Sequence, residues 1–343
     1  MKPISTSNKY REDLPASAIS LMRVSVVVST YSEERAGQVL RCLESVKRQT
    51  LQPHEIILVL DPDANLGKFY SSFVPSDVLI VGSKAAGLSN ARNAGVEVAQ
   101  GQIVAFIDDD ATADENWLRN LVGNFSDENI MGAGGYAKPI RENGRPVWFA
   151  EELDWVVGCS YKGGPRETCY VRNPLGCNMA FRGLAFRRIG LFRSGFGRIG
   201  NLLLGSEEAE FSMRLTSELP WARIVYDPSA VVYHRVPKNR DSFRYFLRRS
   251  FYEGVSKALI RRLHSKTTIS LLAERQYLRY LLLVSIPERL RQINDSRKLA
   301  ELFAILASMM LVLSGYVAQR LKSLIYSQFS RSVATLSHTR DNS

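Results

Sequence analysis

Three consecutive carboxylates, Asp108-Asp109-Asp110, follow the apolar run Gln102-Ile-Val-Ala-Phe-Ile107. Like charges within a few ångströms are unfavourable unless a cation or donor groups compensate them. Oxygen ligands supplied sparingly by protein suit Mg2+ or Mn2+ held partly by substrate phosphates. A metal so placed acts as a Lewis acid on a departing diphosphate. The plain alternative is a solvated acidic turn, which the preceding strand-like run disfavours. A second cluster, Glu207-Glu208-Ala209-Glu210, opens a segment with Phe211, Met213 and Leu215 on its inner side. Glu208, or failing it Glu207, can act as general base; equally, glutamates in a first turn can merely complement the helix dipole. His234 follows Ala230-Val-Val-Tyr233 at a strand end, where an imidazole can reach a ligand, although a lone histidine is more often structural.

These groups need elements to hold them. Val24-Ser-Val-Val-Val28 reads as a buried strand, followed by a polar turn, Ser29 to Glu34, and a helix with Val39, Leu40, Leu43 and Val46 on one face. Glu55 to Leu60 and Val78 to Val81 are two more strands, the first ending at Asp61. A helix between Gly87 and Gly101, with Leu88-Ser89-Asn90 as its cap, leads into the fourth strand and the aspartates. Alternating strands and helices mean parallel pairing, and ligands bind beyond the carboxyl ends of such strands. After Trp117 the pattern loosens through Gly132 to Gly135 and an aromatic-bearing stretch, Trp148 to Tyr161, before Gly176-Cys-Asn-Met-Ala-Phe181. Neither G-x-x-x-x-G-K-[ST] nor G-x-G-x-x-G follows a predicted strand, and Tyr31 to Glu34 stands where a nucleotidyltransferase would carry a Gly-rich loop. The phosphates must therefore be met by a metal.

With 343 residues and 45 % apolar composition the chain is an ordinary globular protein, not a disordered one. An excess of 45 Lys and Arg over 34 Asp and Glu favours an anionic partner: a phosphorylated substrate, a lipid surface, or nucleic acid bound by a basic module. No nucleic-acid-binding motif supports the last, and none is expected as a partner. Cys42, Cys159, Cys169 and Cys177 form no C-x-x-C pair, so zinc or a disulfide framework is not expected and a reducing cytosol fits. Residues 1–22 read as a polar tail without a signal peptide.

Taken in order, the motifs resemble glycosyltransferase family 2, nucleotide-sugar enzymes of the GT-A fold. The resemblance runs over residues 23–240. Val24 to Glu34 resembles the family's first strand and Thr-Tyr-x-Glu turn, Asp61 its second-strand aspartate, and Gly87 to Asn93 the segment before its metal motif. Asp108-Asp109-Asp110 resembles the D-x-D site, Gly176 to Arg182 the acceptor segment, and Glu207-Glu208 the Glu-Asp pair, with Glu in place of the usual second Asp. The resemblance implies a Rossmann-like mixed sheet flanked by helices and a nucleotide-sugar surface of Thr30, Tyr31, Glu33, Asp61, Arg92, Asp108 and Asp109. Within it Glu33 and Asp61 contact the nucleoside, Asp108 the ribose, and Arg92 the donor. Asp110, with His234, takes Mn2+ or Mg2+, and Gly176, Asn178 and Trp155 face the acceptor sugar. A narrower resemblance, carried by Trp148 to Gly158, Asn173 to Asn178 and Ser206 to Glu210, is to archaeal-type glucuronosyltransferases acting on glucosyl-dolichyl phosphate. It implies inverting transfer of a hexuronic acid from a UDP-sugar to a polyprenyl-phosphate-linked sugar. Another hexose or deoxyhexose, in cell-surface polysaccharide synthesis, is the alternative.

From 241 to 343 the chain is predicted to be helical and basic. Asp241 or Ser242 can cap a helix that turns Phe243, Phe246, Leu247 and Val255 inward and Arg244, Arg248, Arg249 and Lys257 outward. Leu302 to Ala318 carries no charge but is short for a membrane span, so an interfacial helix is expected, a short transmembrane anchor being the alternative, with Leu281 to Ile286 as a second contact. Basic and apolar faces together predict attachment to anionic lipid at the cytoplasmic side of the cell membrane.

Overall fold

The computed structural model describes residues 22–198, 203–264 and 272–340; the expected N-terminal tail, apart from Met22, lies outside them. Its centre is β1 (Val24–Thr30), whose valines are buried on both faces, as a strand covered by helices on either side requires. After α1 (Ala36–Lys47), β2 (Glu55–Leu60) pairs parallel with β1. Then α2 (Ala64–Ser71), β3 (Val78–Gly82), α3 (Leu88–Val98) and β4 (Ile103–Asp108) complete a four-stranded parallel half in the order β3-β2-β1-β4. Val39, Leu43 and Val46 of α1 are buried beneath it, while Leu40 is only half-buried. No side chain caps α3: Gly87, at φ 110°, turns the chain in place of the Ser89 or Asn90 cap expected from sequence.

The second half is mixed. β5 (Ala111–Ala113), α4 (Trp117–Gly123), β6 (Ile130–Arg141), β7 (Cys169–Tyr170), β8 (Asn178–Arg182), α5 (Gly183–Ile189), α6 (Glu207–Glu218) and β9 (Arg223–Val236) follow in order. β8 runs antiparallel between β4 and β6, β6 pairs parallel with β9, and β5 and β7 lie antiparallel along β9. The glycine-rich stretch that looked irregular is the middle of β6. There the glycines admit neighbours that a side chain would expel: a Cβ on Gly135 would meet the Ala230 carbonyl oxygen at 1.8 Å, and one on Gly132 would meet Phe181 at 2.7 Å.

Two apolar layers fill the two faces of the sheet. One holds Val28, Leu43 and Trp117; the other holds Phe106, Phe181, Phe186 and Phe211, whose rings meet mostly edge to face. A third core, built of Phe149, Val156, Val236, Phe246, Leu281 and Ile305, joins the strands to the helices that follow.

Those helices are α7 (Phe243–Leu263), α8 (Leu272–Tyr280), a π turn (Leu281–Ser285), α9 (Ile286–Arg291) and the long α10 (Ser296–Arg340). Ser242 caps α7 by accepting from Tyr245 N–H at 3.2 Å. Phe246 is buried, but Phe243 is 42 % exposed, contrary to the inward face expected. Arg249 and Lys257 likewise depart from the expected outer face: both pair with Glu253, and Lys257 also reaches Glu274 of α8. Arg289 welds the layers by donating to Glu152 at 2.7 Å and pairing with Glu301 at 3.0 Å, all three buried. α7 and α10 touch backbone to backbone. A Cβ on Gly254 would lie 2.0 Å from the Val312 oxygen, and one on Gly315 would lie 2.0 Å from that of Phe251. Ser296–Leu324 is long and apolar enough to cross a membrane, extending well beyond the 302–318 window. Its outward residues Leu299, Phe303, Leu306, Met310, Leu313 and Val317 recur at three- and four-residue steps, while Leu302, Ile305 and Ser308 face inward. Leu282, Leu283 and Val284 are exposed as well.

Candidate active site

β4 delivers the aspartates at its carboxyl end, and each meets a different environment. Asp109 is held by Arg35, whose Nε donates to Oδ2 at 2.6 Å while Nη2 binds the other oxygen. Burial pushes the Asp109 carboxyl up to about 6, with Arg35 opposing. Arg35 also places its guanidinium over the Tyr31 ring at 5.0 Å and donates to the Tyr31 hydroxyl at 3.3 Å. Tyr31, 61 % exposed, is thereby braced at the cleft mouth. Asp109 therefore organises the turn after β1 rather than offering a free carboxylate.

Asp110 lies among Arg35 Nη2 at 3.0 Å, Arg240 Nη2 at 3.2 Å and His234 Nε2 at 3.3 Å. Burial alone would raise its pKa, but His234, Arg240 and Arg35 outweigh that and hold it well below the usual range. Asp110 Oδ1 is nonetheless buried without a hydrogen bond. Ligand atoms of Asp108, Asp110 and His234 lie within 4.8 Å of one another. Two carboxylates and an imidazole, with one buried carboxylate oxygen making no hydrogen bond, fit a divalent cation such as Mn2+ or Mg2+. The other His234 nitrogen, Nδ1, lies 3.6 Å from Cys159 Sγ, which fixes the ring's tilt.

Arg92 of α3 is 2 % exposed and spans the site. It binds Asp108 Oδ1 at 3.1 Å, the Gly176 carbonyl at 2.8 Å and Glu207 Oε1. Its fork is thus committed to Asp108, Gly176 and Glu207, which places it as a positioning group between the two acidic clusters. The same contact pairs Glu207 with a buried cation. Glu208, one residue on, has no ion-pair partner among the described residues. Burial and then the charge of Glu207 push Glu208 up to about 8. Ser206, the only non-glycine residue with positive φ among those described, turns the chain into α6 at φ 78°. Strain of this kind is tolerated where it aims a side chain.

The remaining sequence-predicted residues fall on both sides of the cleft wall. Thr30 is buried at the end of β1, Glu33 is exposed, and Asp61 accepts from Gly87 N–H at 3.4 Å with its pKa raised by burial. Asn178 does not face an acceptor. Its Oδ1 accepts from Trp117 Nε1 at 2.8 Å, and its Nδ2 donates to the Tyr136 and Ala230 carbonyls, so it is a satisfied core amide. Trp155 is half-buried, donates to the Tyr277 hydroxyl at 3.2 Å and lies 6.0 Å from the Arg249 guanidinium. Arg35 and Arg240 were missed in the sequence. Each lies in a short 3-10 turn, and only the spacing of Arg35 four residues after Tyr31 hinted at a partnership.

A Rossmann-like parallel half, a mixed second half and a strand-end Asp/Asp/His group define a GT-A glycosyltransferase. The chain belongs to glycosyl transferase family 2, whose family model matches residues 25–190. It is 33 % identical over 290 residues to the glucosyl-dolichyl phosphate glucuronosyltransferase of Haloferax volcanii, covering 83 % of this chain and 91 % of that protein. It is 25 % identical to the succinoglycan biosynthesis protein ExoM of Rhizobium meliloti, covering 68 % and 73 %. In fold it resembles the mannosyltransferase PcManGT of Pyrobaculum calidifontis, solved with GDP-Man and Mn2+, at 17 % identity and TM-score 0.55 over 87 % of each chain. Arg35, Arg92, Arg240 and Arg289, part of the basic excess, are committed to the chain's own carboxylates, and family membership leaves the nucleic-acid-binding reading without support.

Proposed function

We propose that the protein is a metal-dependent, inverting glycosyltransferase that moves a hexuronic acid from a UDP-sugar to a sugar carried on polyprenyl phosphate. The observation that supports it best is the Arg92 bridge: one buried guanidinium ties Asp108 to Glu207 and so sets the spacing between the metal carboxylates and the base. Asp108, Asp110 and His234 would hold Mn2+ or Mg2+, which when bound would supply Lewis-acid stabilisation to the leaving nucleoside diphosphate. Tyr31, Glu33 and Asp61 line the nucleoside side. Glu208 takes the proton of the acceptor hydroxyl as that oxygen attacks the anomeric carbon, and the bond to the diphosphate breaks on the opposite face, inverting the centre. With its pKa raised to about 8, the ionised Glu208 carboxylate is a stronger proton acceptor than an ordinary glutamate, and activity rises as it ionises.

The donor and acceptor classes are supported by the likeness to the Haloferax volcanii enzyme. The apolar outer stripe of α10, with its other face packed on α7, supports an in-plane helix at the cytoplasmic face of the membrane. Four buried free cysteines accord with that compartment. The likeness to ExoM keeps a second reading, transfer of another hexose in polysaccharide synthesis.

The test is incubation of the protein with Mn2+, polyprenyl-phosphate-linked glucose and a panel of nucleotide sugars, with products read by mass and anomeric configuration by NMR. A hexuronosyl product from the UDP donor with inverted configuration is expected. Exclusive use of a neutral hexose donor would move the protein to the second reading, and retained configuration would sink the mechanism.

A further inference from the structure

Where α7 meets the loop that leads into α6, three guanidinium groups gather round one phenol. Arg198 Nη2 donates to the Tyr245 hydroxyl at 3.1 Å. Arg240 and Arg249 lie close enough that, with Arg198, they lower the Tyr245 pKa against the upward push of its burial. Arg240 has Asp110 and Arg249 has Glu253, but Arg198 has no carboxylate within ion-pair distance among the described residues. Arg240 is the chief reason that the Arg198 pKa is lowered, so the cations repel one another. Such a gathering is costly unless an anion completes it.

Its position says which anion. In the function proposed above, the donor's diphosphate would be met by the cation that Asp108, Asp110 and His234 would hold, beside Arg240. Arg249 instead stands 6.0 Å from the Trp155 ring, and its charge is felt by Glu208. Arg249 and Tyr245 ride on α7, whose backbone lies directly against α10, and the far side of α10 is the apolar stripe. The cluster is therefore linked to the base on one side and, through α7 and α10, to the apolar stripe on the other.

We propose that Arg198, Tyr245 and Arg249 form a phosphate subsite, separate from the metal carboxylates, for the phosphodiester of the lipid-linked acceptor. The assignment rests on the acceptor class proposed above. Two planar guanidinium forks and a phenol supply N–H and O–H donors to the phosphate oxygens, while the lipid leaves toward α10 and the sugar toward Glu208.

The experiment measures binding, not transfer, so an error in the donor sugar leaves it intact. Arg198→Gln, Arg249→Gln and Tyr245→Phe are titrated against polyprenyl phosphate in phosphatidylcholine vesicles, against vesicles given the same charge with phosphatidylglycerol, and against UDP with Mn2+. Binding of polyprenyl phosphate should fall roughly tenfold for each arginine, with lysine restoring part of it, while the other two probes change less than about twofold. Equal losses on both vesicle types would reduce the cluster to general membrane attraction. Loss confined to UDP with Mn2+ would make it a donor subsite, and no loss would also overturn the proposal. Thermal melting checks that each variant folds; if Arg249→Gln does not, Arg198→Gln and Tyr245→Phe decide the matter.

Discussion

The two acidic groups of the cleft contain the same chemical function in opposite states. At the end of β4, Asp110 faces His234, Arg240 and Arg35 and is held ionised; at the start of α6, Glu208 has Glu207 for a neighbour and keeps its proton up to about pH 8. Burial is similar in sense at both. What differs is the sign of the adjacent charge. Arg92 enforces the division by bonding Asp108 and Glu207 directly, while Glu208 feels it only at longer range. A carboxylate that binds metal and one that moves a proton can thus be told apart by their neighbours.

The comparison can be broken at either end. Asp110→Ala should have the largest effect, a fall in kcat of about 1000-fold or more, because several kcal/mol of charge stabilisation are lost. Weak Mn2+ binding by EPR would accompany it, and full activity with chelator present would refute the metal assignment. Glu208→Gln should lower kcat by about 100-fold or more with Mn2+ affinity unchanged. The same variant should gain stability in alkali. The folded-state pKa of Glu208 is raised, so folding takes up a proton, and the stabilisation present at low pH is lost as pH rises toward about 8. Glutamine escapes that loss, and melting curves at pH 6 and about pH 9 would reveal the difference. Arg35→Lys should lower activity by about tenfold, mainly through KM for the nucleotide sugar, since a lysine cannot bridge Asp109 bidentately and brace Tyr31. The smallest effect is a shift rather than a loss. In Glu207→Gln the rising limb of the pH–rate profile should move to lower pH, because the charge that raises Glu208 is gone. An unmoved limb would assign it to another group.

The parallel half was legible because β-branched runs ending in aspartate report both strand and site. The second half was not, for reasons visible at particular residues. Gly132 to Gly135 resemble a loop in composition, yet they are glycines because Phe181, Pro174 and the Ala230 carbonyl press on the strand. Asn178 resembles a ligand contact, yet its amide is consumed by Trp117 and two carbonyls contributed by distant segments. Arg35 and Arg240 became meaningful only when folding placed both beside Asp110, 75 and 130 positions away, respectively. Arg249 and Lys257 were expected on an outward basic face, yet Glu253 on their own helix and Glu274 on the next one draw them into a buried network.

The crossing of α7 and α10 bears on how any mutational scan of this chain should be read. At Gly254 and Gly315 even a methyl group would collide with a carbonyl oxygen of the opposite helix. Both positions should tolerate substitution as poorly as Asp110 does, without touching substrate or metal. Intolerance alone would therefore draw a false second active site there, and only a purified variant's melting temperature, set beside its turnover, separates a residue that lacks room from one that performs chemistry.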